Sequence, residues 1–455
     1  MKILIIQLAK FGDLIQTGFF IKRLEEFYGA SEVFLLGNEI FKDTAYFLPL
    51  KEFIDFNVAE AVDFRKSVVT LKSNNYANNL ISRLKNEKFD LIINLNSGLL
   101  SEQIAKKVSN DFIGFGSHDF ASLQWLYFIM SFVKSRQFAG WNLVDIFAGI
   151  LPEAGEIKPK EGIDNFNIKP GNKVIIHPGA GNIKRSIRPE LIAEIADKLT
   201  ERDLNVIFTG TMPEMEQSKK ISDMMKNKGR ALNLTGKTSV SDLKNLLVEA
   251  DLLISGDTGT MHMGAWTGTQ TLSVFLGSAF PWETLGYNLN QMTIFPENSN
   301  CSLYPCREDS VCRFNYKCRQ IISADYVAEN LFSSSPDFTA LKKDEFGLTA
   351  KHIAENDNNI LMNLFREFSK IYFGKFDFNE EKINYLKNLL SEKTKTELKR
   401  ELKIIKFADP ENVNPEKLAV SCPRFIFLFY LKKFSAVLGS PVYDKCIEYI
   451  SAISD

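Results

Sequence analysis

This chain of 455 residues has little net charge, only four histidines and no long apolar run. Its formal net charge is -1, so no global field attracts nucleic acid or an anionic lipid surface. The most apolar window, residues 123–133, is shorter than the roughly 20 residues that a transmembrane helix requires. The apolar start at residues 3–8 is followed by no small-residue cleavage site and is typical of a strand. We therefore expect a cytoplasmic protein without a nucleic acid partner.

The chain also lacks an Asp-x-Asp pair, an internal repeat and a low-complexity tract. Paired carboxylates are the usual clamp that holds Mg²⁺ or Mn²⁺ on a diphosphate. Because no such pair is present, we expect any transfer chemistry on a diphosphate to be metal-independent and to require no cofactor.

The composition indicates a soluble globular protein with more than one domain. Hydrophobic residues make up 45% and charged residues 24% of the chain, a balance that soluble proteins share. The length predicts two or three domains at roughly 100 to 200 residues each. Apolar, β-branched runs alternate with helical periodicity, which predicts parallel β/α construction. The predicted strands are 2–8, 33–36, 91–95, 174–176, 206–208, 252–254 and 272–275.

Two breaks divide this pattern. Residues 155–173 are polar and contain several Gly and Pro residues, which indicates a connection between lobes. After residues 333–336 the β-branched runs disappear, and Lys, Glu, Asn and Leu recur at helical spacing. We predict an α/β lobe over 1–160, a second α/β lobe over 161–335 and an all-helical extension over 336–455.

The most specific motif is Asp257-Thr258-Gly259-x-x-His262, where a predicted strand ends in a turn that begins a helix. Backbone N–H groups at a helix N-terminus bind anions, and glycine lets a phosphate approach closely. In open α/β sheets ligands bind at the carboxyl ends of strands. The motif therefore predicts a diphosphate site, with a capping Asp and a packed His as the alternative.

A second predicted strand ends in His177-Pro178-Gly179-Ala180, followed by Lys184-Arg185. The small Gly179 and Ala180 permit close approach of a ligand. A leaving nucleoside diphosphate gains negative charge in the transition state, where a fixed cation stabilises it most. A solvated basic pair is the alternative interpretation.

A third predicted strand leads through Gly210 to Glu214. A carboxylate at this position accepts hydrogen bonds from ribose hydroxyls. Glu214 is equally explained as an acid that begins a helix.

Gly12-Asp13 follows the first predicted strand and faces the same cleft if the two lobes oppose each other. The helix dipole holds an Asp at a helix start ionised, as a general base requires. A simple N-cap is the alternative.

These residues as a set resemble glycosyltransferase family 9, whose best-known members add heptose from ADP-heptose to the lipopolysaccharide core. The resemblance covers about residues 1–330. It is carried by Gly12-Asp13, His177–Ala180, Leu234–Thr238, Asp257–His262 and the cysteine cluster that begins at Cys301.

The resemblance implies a GT-B fold of two Rossmann-like lobes around a central cleft, and an inverting reaction. By the same resemblance Asp13 is the catalytic base, Glu214 lies near the ribose-binding acid, and Lys184 or Arg185 lies near the phosphate-binding lysine. The loop at the donor sugar and diphosphate would consist of Asp257, Thr258, Gly259 and His262.

This chain departs from the family pattern in three places. Lys184–Pro189 replaces the usual Lys-x-Trp-Pro, Thr260 stands where proline is usual, and Leu285–Asn288 replaces Gly-Pro-Tyr-Gly. The last change lies near the expected donor site and leaves the identity of the sugar open.

Four cysteines lie within a short stretch: Cys301, Cys306, Cys312 and Cys318. Four thiolates are enough for a tetrahedral zinc or iron site, although no tight Cys-x2-Cys pair is present. Some protein-modifying relatives of the family carry an iron-bound cysteine finger, so the resemblance favours a structural metal. A set of packed thiols is the alternative.

The leading hypothesis is transfer of a heptose or similar sugar from an ADP-sugar to a saccharide acceptor, such as the lipopolysaccharide core. Glycosylation of a protein, for example an autotransporter or flagellin, is the alternative acceptor chemistry. A sugar-nucleotide epimerase and a non-catalytic nucleotide-binding scaffold are the alternatives from other classes. Residues 123–133 and 423–434 are each either a peripheral membrane contact or a buried helix.

Overall fold

A computed structural model of the chain was analysed. It describes residues 1–29, 31–63, 70–119, 122, 125, 126, 129, 141–151, 160–279, 281–296, 301, 306, 311–344, 347–350, 392–407, 444, 446–448, 450 and 451.

The first lobe is built on a parallel five-stranded sheet in the order β3-β2-β1-β6-β7. The central strand β1 is buried on both faces, as Ile3 and Leu4 show, which explains its continuous apolar run. A separate antiparallel pair, β4 and β5, lies off this sheet. The strands are β1 Lys2–Gln7, β2 Glu32–Asn38, β3 Glu52–Phe56, β4 Val62–Asp63, β5 Thr70–Leu71, β6 Leu91–Asn94 and β7 Ile113–Gly114.

Helices connect these strands, as parallel pairing requires. Asn74 and Asn142 cap two of them by accepting the N–H of Ala77 and Val144. The helices of this lobe are α1 Phe11–Tyr28, α2 Val58–Ala61, α3 Asn75–Asn86, α4 Leu99–Val108 and α5 Leu143–Ala148, with a 3₁₀ segment at Glu39–Tyr46.

The second lobe has six parallel strands in the order β11-β10-β9-β12-β13-β14. This order, 3-2-1-4-5-6 within the lobe, is that of the dinucleotide-binding Rossmann fold. Pro189 begins α6, where its fixed φ and missing N–H suit the first helical position. The strands are β9 Lys173–His177, β10 Asn205–Phe208, β11 Ala231–Asn233, β12 Leu252–Gly256, β13 Thr271–Val274 and β14 Gln291–Ile294, with β8 Lys160–Glu161 preceding them. The helices are α6 Pro189–Thr200, α7 Met215–Met224, α8 Val240–Val248, α9 Gly259–Thr267, α10 Pro281–Thr284 and α11 Ala324–Leu331, with 3₁₀ turns at Met212–Glu214 and Lys317–Arg319.

The prediction that residues 336–455 are wholly helical is wrong at their start. An antiparallel hairpin, β15 Thr339–Asp344 and β16 Gly347–Ala350, extends the second sheet by pairing with β14 and with β8. Leu341 and Leu348 are the buried apolar side chains described in its two arms, too few for a strand period to stand out in the sequence. Farther along, α12 Glu392–Phe407 is helical.

The two lobes and the extension share one apolar core. It contains Ile5 and Leu14 of the first lobe, Met261 and Phe275 of the second, and Leu398 of α12. The extension therefore packs on the body of the protein rather than standing apart from it.

None of the described helices is long and apolar enough to cross a membrane. In the window 123–133 the structure describes Trp125, Leu126 and Ile129, and all three side chains are buried. This favours the buried-helix interpretation at those positions. The rest of that window, and all of residues 423–434, lie outside the described residues.

Candidate active site

Each sheet reverses its strand order at one point, which in open α/β sheets is where a crevice for ligands opens. In the second lobe that point lies between β9 and β12, whose carboxyl ends lead to His177 and to Asp257. In the first lobe it lies between β1 and β6, and β1 leads to Asp13. The two crevices therefore hold three of the residues singled out from the sequence: His177, Asp257 and Asp13.

Helices α1 and α9 hold these crevices together across the lobe boundary. The Phe11 ring lies against Gly259, and a side chain on Gly259 would collide with it. A Cβ on Gly12 would sit 2.5 Å from Cδ2 of His262, and one on Gly18 would sit 3.0 Å from the Trp266 ring. Gly259 is therefore needed for contact with the first lobe, a requirement that the phosphate-loop interpretation did not include.

Asp257 is paired with Arg185, whose Nη1 lies 2.9 Å from Oδ2 of the carboxylate. Lys184 is 6% exposed, and its carbonyl lies against Gly277. The solvated basic pair is thus excluded, because Lys184 is buried and the Arg185 side chain is only 18% exposed.

The loop after β12 leads into α9 through Thr258, which makes no side-chain cap hydrogen bond. Its hydroxyl lies 2.9 Å from that of Ser255. The first N–H groups of a helix have no partner within the helix, so this turn presents donors to an anion beside Arg185.

His262 lies buried between the two lobes. Burial lowers the pKa of His262 to about 4, against the opposing effect of the Asp257 carboxylate. The imidazole is therefore neutral near pH 7, and its Nδ1 has no hydrogen-bond partner among the described residues. An unpartnered buried nitrogen is costly, so the position suits a ligand that supplies the missing bond.

Asp13 is the third residue of α1, and its Oδ2 accepts the Lys10 N–H at 3.1 Å. Burial raises the pKa of Asp13, and the charge of Asp257 adds to the rise, whereas Lys10 opposes it. The sequence analysis considered only the helix dipole, which favours the ionised carboxylate, whereas burial acts on the pKa in the opposite direction. A raised pKa makes the carboxylate a stronger base when it is ionised.

Glu214 uses its two carboxylate oxygens differently. Oε2 accepts the backbone N–H and the hydroxyl of Thr211 at 2.6 and 2.7 Å. Oε1 instead points at Gly179, where any side chain would collide with it. The helix-opening interpretation is therefore correct for Oε2, while Oε1 lies against Gly179.

His177 is a site residue that the sequence analysis named only as part of a motif. Its Nδ1 lies 3.1 Å from the Thr260 hydroxyl, and its Nε2 lies 4.0 Å from Glu214 Oε1. Burial lowers the pKa of His177, with Glu214 opposing. Thr260, which stands where the family usually has proline, thus gives His177 a partner that proline lacks.

The cysteine cluster packs against the turn after β13. Gly277 donates its N–H to the Cys318 thiol, and its carbonyl accepts the Cys306 N–H at 2.9 Å. Burial raises the pKa of Cys318, and the other three cysteines lie close enough to raise it further. Over the part of the chain that is described, no three His, Cys, Asp or Glu side chains are arranged to hold a metal ion. The metal site stays a prediction.

A polar network at the rear of the cleft was not foreseen. Asp145 of the first lobe is fully buried, pairs with Arg23 at 3.1 Å and accepts the Tyr287 hydroxyl at 2.6 Å. It also accepts the Leu348 N–H at 3.0 Å from β16. The loop Leu285–Asn288, expected near the donor, thus contributes Tyr287 to the lobe junction. Nothing in local sequence spacing links residues so far apart in the chain.

The family model described as glycosyltransferase family 9 (heptosyltransferase) matches residues 77–312, just over half of the chain. The chain belongs to glycosyltransferase family 9. The resemblance seen in the motifs is thereby confirmed, and this family member is a glycosyltransferase.

Two curated relatives are similar to this family 9 chain. The lipopolysaccharide core heptosyltransferase OpsX of Haemophilus influenzae is 24% identical over 237 residues, which cover 48% of this chain and 67% of that protein. Lipooligosaccharide heptosyltransferase 2 of Campylobacter jejuni serotype O:2 is 25% identical over 179 residues, which cover 37% of this chain and 54% of that protein. The second match thus spans about half of that relative's length.

Two solved structures share the fold. The glycosyltransferase family 9 structure from Veillonella parvula aligns with a TM-score of 0.53 and 18% identity, covering 72% of this chain and 95% of that one. The E. coli heptosyltransferase WaaC with ADP aligns with a TM-score of 0.53 and 15% identity, covering 72% and 98%. The predicted two-lobed GT-B fold is confirmed.

Proposed function

We propose that this protein is an inverting glycosyltransferase that moves a heptose, or a similar sugar, from an ADP-linked donor to a saccharide acceptor of the lipopolysaccharide-core class. Both curated relatives are named as heptosyltransferases of lipopolysaccharide or lipooligosaccharide, and the WaaC structure is named as containing ADP. Membership of the family supports this chemistry. The donor and the acceptor proposed for this chain are argued from its own site.

One observation carries the proposal: the seating of α1 on α9 brings the first-lobe Asp13 to the second-lobe loop at Asp257. Gly12 lies against His262, one residue before Asp13. The two carboxylates are close enough for the charge of Asp257 to raise the pKa of Asp13. A base from one lobe thus faces an anion site of the other, which is the arrangement that sugar transfer across a cleft requires.

In the reaction, the Asp13 carboxylate takes the proton of the acceptor hydroxyl. The acceptor oxygen then forms a bond to the anomeric carbon of the donor sugar. The bond between that carbon and the diphosphate oxygen breaks, and its electron pair leaves with ADP. Attack from the face opposite the leaving group inverts the anomeric centre.

The departing diphosphate gains negative charge, which fixed positive groups stabilise. The first N–H groups of α9 and the Arg185 guanidinium supply that charge, with Lys184 on the same loop. Arg185 is held by Asp257, so it is oriented before the donor arrives. These groups support a mechanism without a catalytic divalent ion.

The nucleoside is proposed to lie beside Glu214. Its Oε2 is fixed by Thr211, whereas Oε1 faces Gly179 and is the oxygen available to ribose hydroxyls. Gly179 and Gly210 have no side chains, which lets the Glu214 carboxylate lie against both of them.

The acceptor is proposed to enter from the first-lobe side, at the carboxyl ends of β1 and β6. A lipopolysaccharide-core acceptor would be met at the inner face of the cytoplasmic membrane, in peripheral contact. A protein is the alternative acceptor. An acceptor assay followed by mass spectrometry distinguishes the two.

A thermal-shift panel with ADP, UDP, GDP and dTDP tests the donor, since a ligand that binds only the native state raises apparent stability. We expect a selective rise with ADP that Asp257→Ala weakens. An equal or larger rise with UDP or GDP would reject the ADP donor, and no rise with any nucleotide would reject the donor site itself.

A further inference from the structure

The described residues 311–320, here called the cysteine segment, lie on the loop that carries Lys184 and Arg185. That loop, residues 182–186, is a tight turn organised by Asn182. The Asn182 side chain accepts the Lys184 N–H at 2.9 Å, and its carbonyl accepts the Arg185 N–H at 3.0 Å. These bonds fix the backbone of the turn. Contacts from another part of the chain hold the turn in place over the crevice.

Arg319 of the cysteine segment bonds directly to this loop. Its Nε donates to the Ser186 carbonyl at 2.8 Å. In return, Arg188 Nε donates to the Arg319 carbonyl at 2.9 Å. Two guanidinium groups and two carbonyls thus form a reciprocal latch between segments that are 131 or more residues apart in the chain.

Gly277 provides a second contact between the same parts. Its carbonyl accepts the Cys306 N–H, and its N–H donates to the Cys318 thiol. On its other side, a side chain at this position would strike the Lys184 carbonyl. Its φ of +59° also favours glycine. The turn at Gly277 therefore contacts both the cysteine segment and the loop of residues 182–186.

The latch brings two cations together, which is costly. Burial lowers the pKa of Arg319, and the charge of Arg188 lowers it further. Hydrogen bonds from a guanidinium to backbone carbonyls offset part of this cost.

We infer that Arg319 is a positioning residue for the donor diphosphate: by latching the cysteine segment to residues 182–186, it fixes where Lys184 and Arg185 stand. The inference rests on the proposed function, because it takes these cations to face the diphosphate. It assigns the cysteine segment a part in donor affinity in addition to any structural part.

The test compares ADP with adenosine by isothermal titration calorimetry on the full-length protein. Cations on this loop act on phosphates only, so loss of the latch should weaken ADP binding and spare adenosine. For Arg319→Ala we expect an ADP Kd about tenfold higher, with a change in the adenosine Kd of less than about twofold. Arg319→Lys, which can still donate to the Ser186 carbonyl, should recover part of the ADP affinity.

Arg202→Ala is the matched control, because Arg202 is an exposed arginine of the same lobe that stacks on Phe332 at 4.1 Å. It should leave both affinities unchanged. Equal weakening of ADP and adenosine by Arg319→Ala would reduce Arg319 to a general structural role and overturn the inference, as would unchanged ADP binding. Should Arg319→Ala not fold, Arg319→Gln carries the same comparison.

Failure of the proposed function gives a different result. Wild-type protein that binds ADP no more tightly than adenosine would show that no phosphate site exists here. If the wild-type protein prefers ADP to adenosine and Arg319→Ala keeps the same preference, only the inference about the latch is rejected.

Discussion

Gly12 of the first lobe lies against the imidazole of His262 of the second, so that an added Cβ would sit 2.5 Å from Cδ2. Gly12 immediately precedes Asp13, the proposed base, and His262 belongs to the proposed donor-binding motif. The contact therefore sets the spacing between Asp13 and the Asp257 loop, which we propose act together in sugar transfer.

Gly12→Ala should open this contact. The methyl group cannot be accommodated unless His262 or α1 moves, and overpacking of this kind costs about 1–3 kcal/mol. We expect a lower melting temperature together with a disproportionate loss of transfer rate, because the lobes are displaced at the reacting centre. Gly229→Ala is the control, since its added Cβ would meet nothing closer than 3.9 Å. Equal behaviour of the two variants would show that the contact is not tight.

The stability of the protein should fall on acidification in a window set by His262. Burial lowers its pKa to about 4, so the unfolded chain takes up a proton at higher pH than the folded chain does. The contribution is present above the ordinary histidine pKa and is lost as pH falls toward 4, by about 3 kcal/mol in total. Urea unfolding at a series of pH values measures it.

The raised pKa of Asp13 acts in the opposite direction, so the decisive comparison is between wild type and His262→Gln. The variant should show a shallower loss of stability between about pH 6.5 and pH 4. His118→Gln changes an exposed histidine and should keep the wild-type slope. Parallel slopes for wild type and His262→Gln would contradict the assignment.

Glu214→Gln should weaken ADP by removing the charge that receives the ribose hydroxyls. We expect a Kd about tenfold higher for ADP and no comparable change for 2′,3′-dideoxy-ADP, as hydrogen bonds to a charged group contribute about 1.5–3 kcal/mol. Glu216→Gln is the matched control, because Glu216 lies two residues farther along the chain and pairs with the exposed Lys220. If Glu214→Gln weakened both nucleotides equally, the carboxylate would be structural.

Metal analysis of protein purified without chelator should give about one zinc or iron per chain. The thiols of Cys312 and Cys318 already accept backbone N–H bonds from Tyr316 and Gly277, a feature that thiolate ligands share with packed thiols. Replacing both cysteines by serine should abolish the metal and lower the melting temperature. A clean absence of metal from the wild-type protein would leave packed thiols as the explanation.

The sequence alone was sufficient to predict the features that depend on residues close together in the chain. Continuous apolar runs such as Ile3–Ile6 identify buried parallel strands, and a strand followed by a glycine turn identifies the loop at Asp257. Both signals depend on neighbours in the chain, so no knowledge of the tertiary structure was needed.

Long-range relationships could not be predicted in this way. The contact of Gly12 with His262, the reciprocal bonds of Arg188 and Arg319, and the buried Asp145 network all join residues more than 100 positions apart or across lobes. The hairpin β15–β16 was missed for a different reason. It adds to the edge of the second sheet beyond the strands that the sequence predicted, and few buried apolar side chains mark it among the described residues, such as Leu341 and Leu348.

The central claim is that Asp13 is the base that activates the acceptor, and Asp13→Asn tests it most directly. Asparagine keeps the size of the side chain and an oxygen to accept the Lys10 N–H, but it cannot take a proton. With ADP-heptose and a lipopolysaccharide-core acceptor, the account predicts a transfer rate lower by about 10²–10⁴-fold with an ADP Kd close to that of the wild type. Transfer at the wild-type rate would contradict the account.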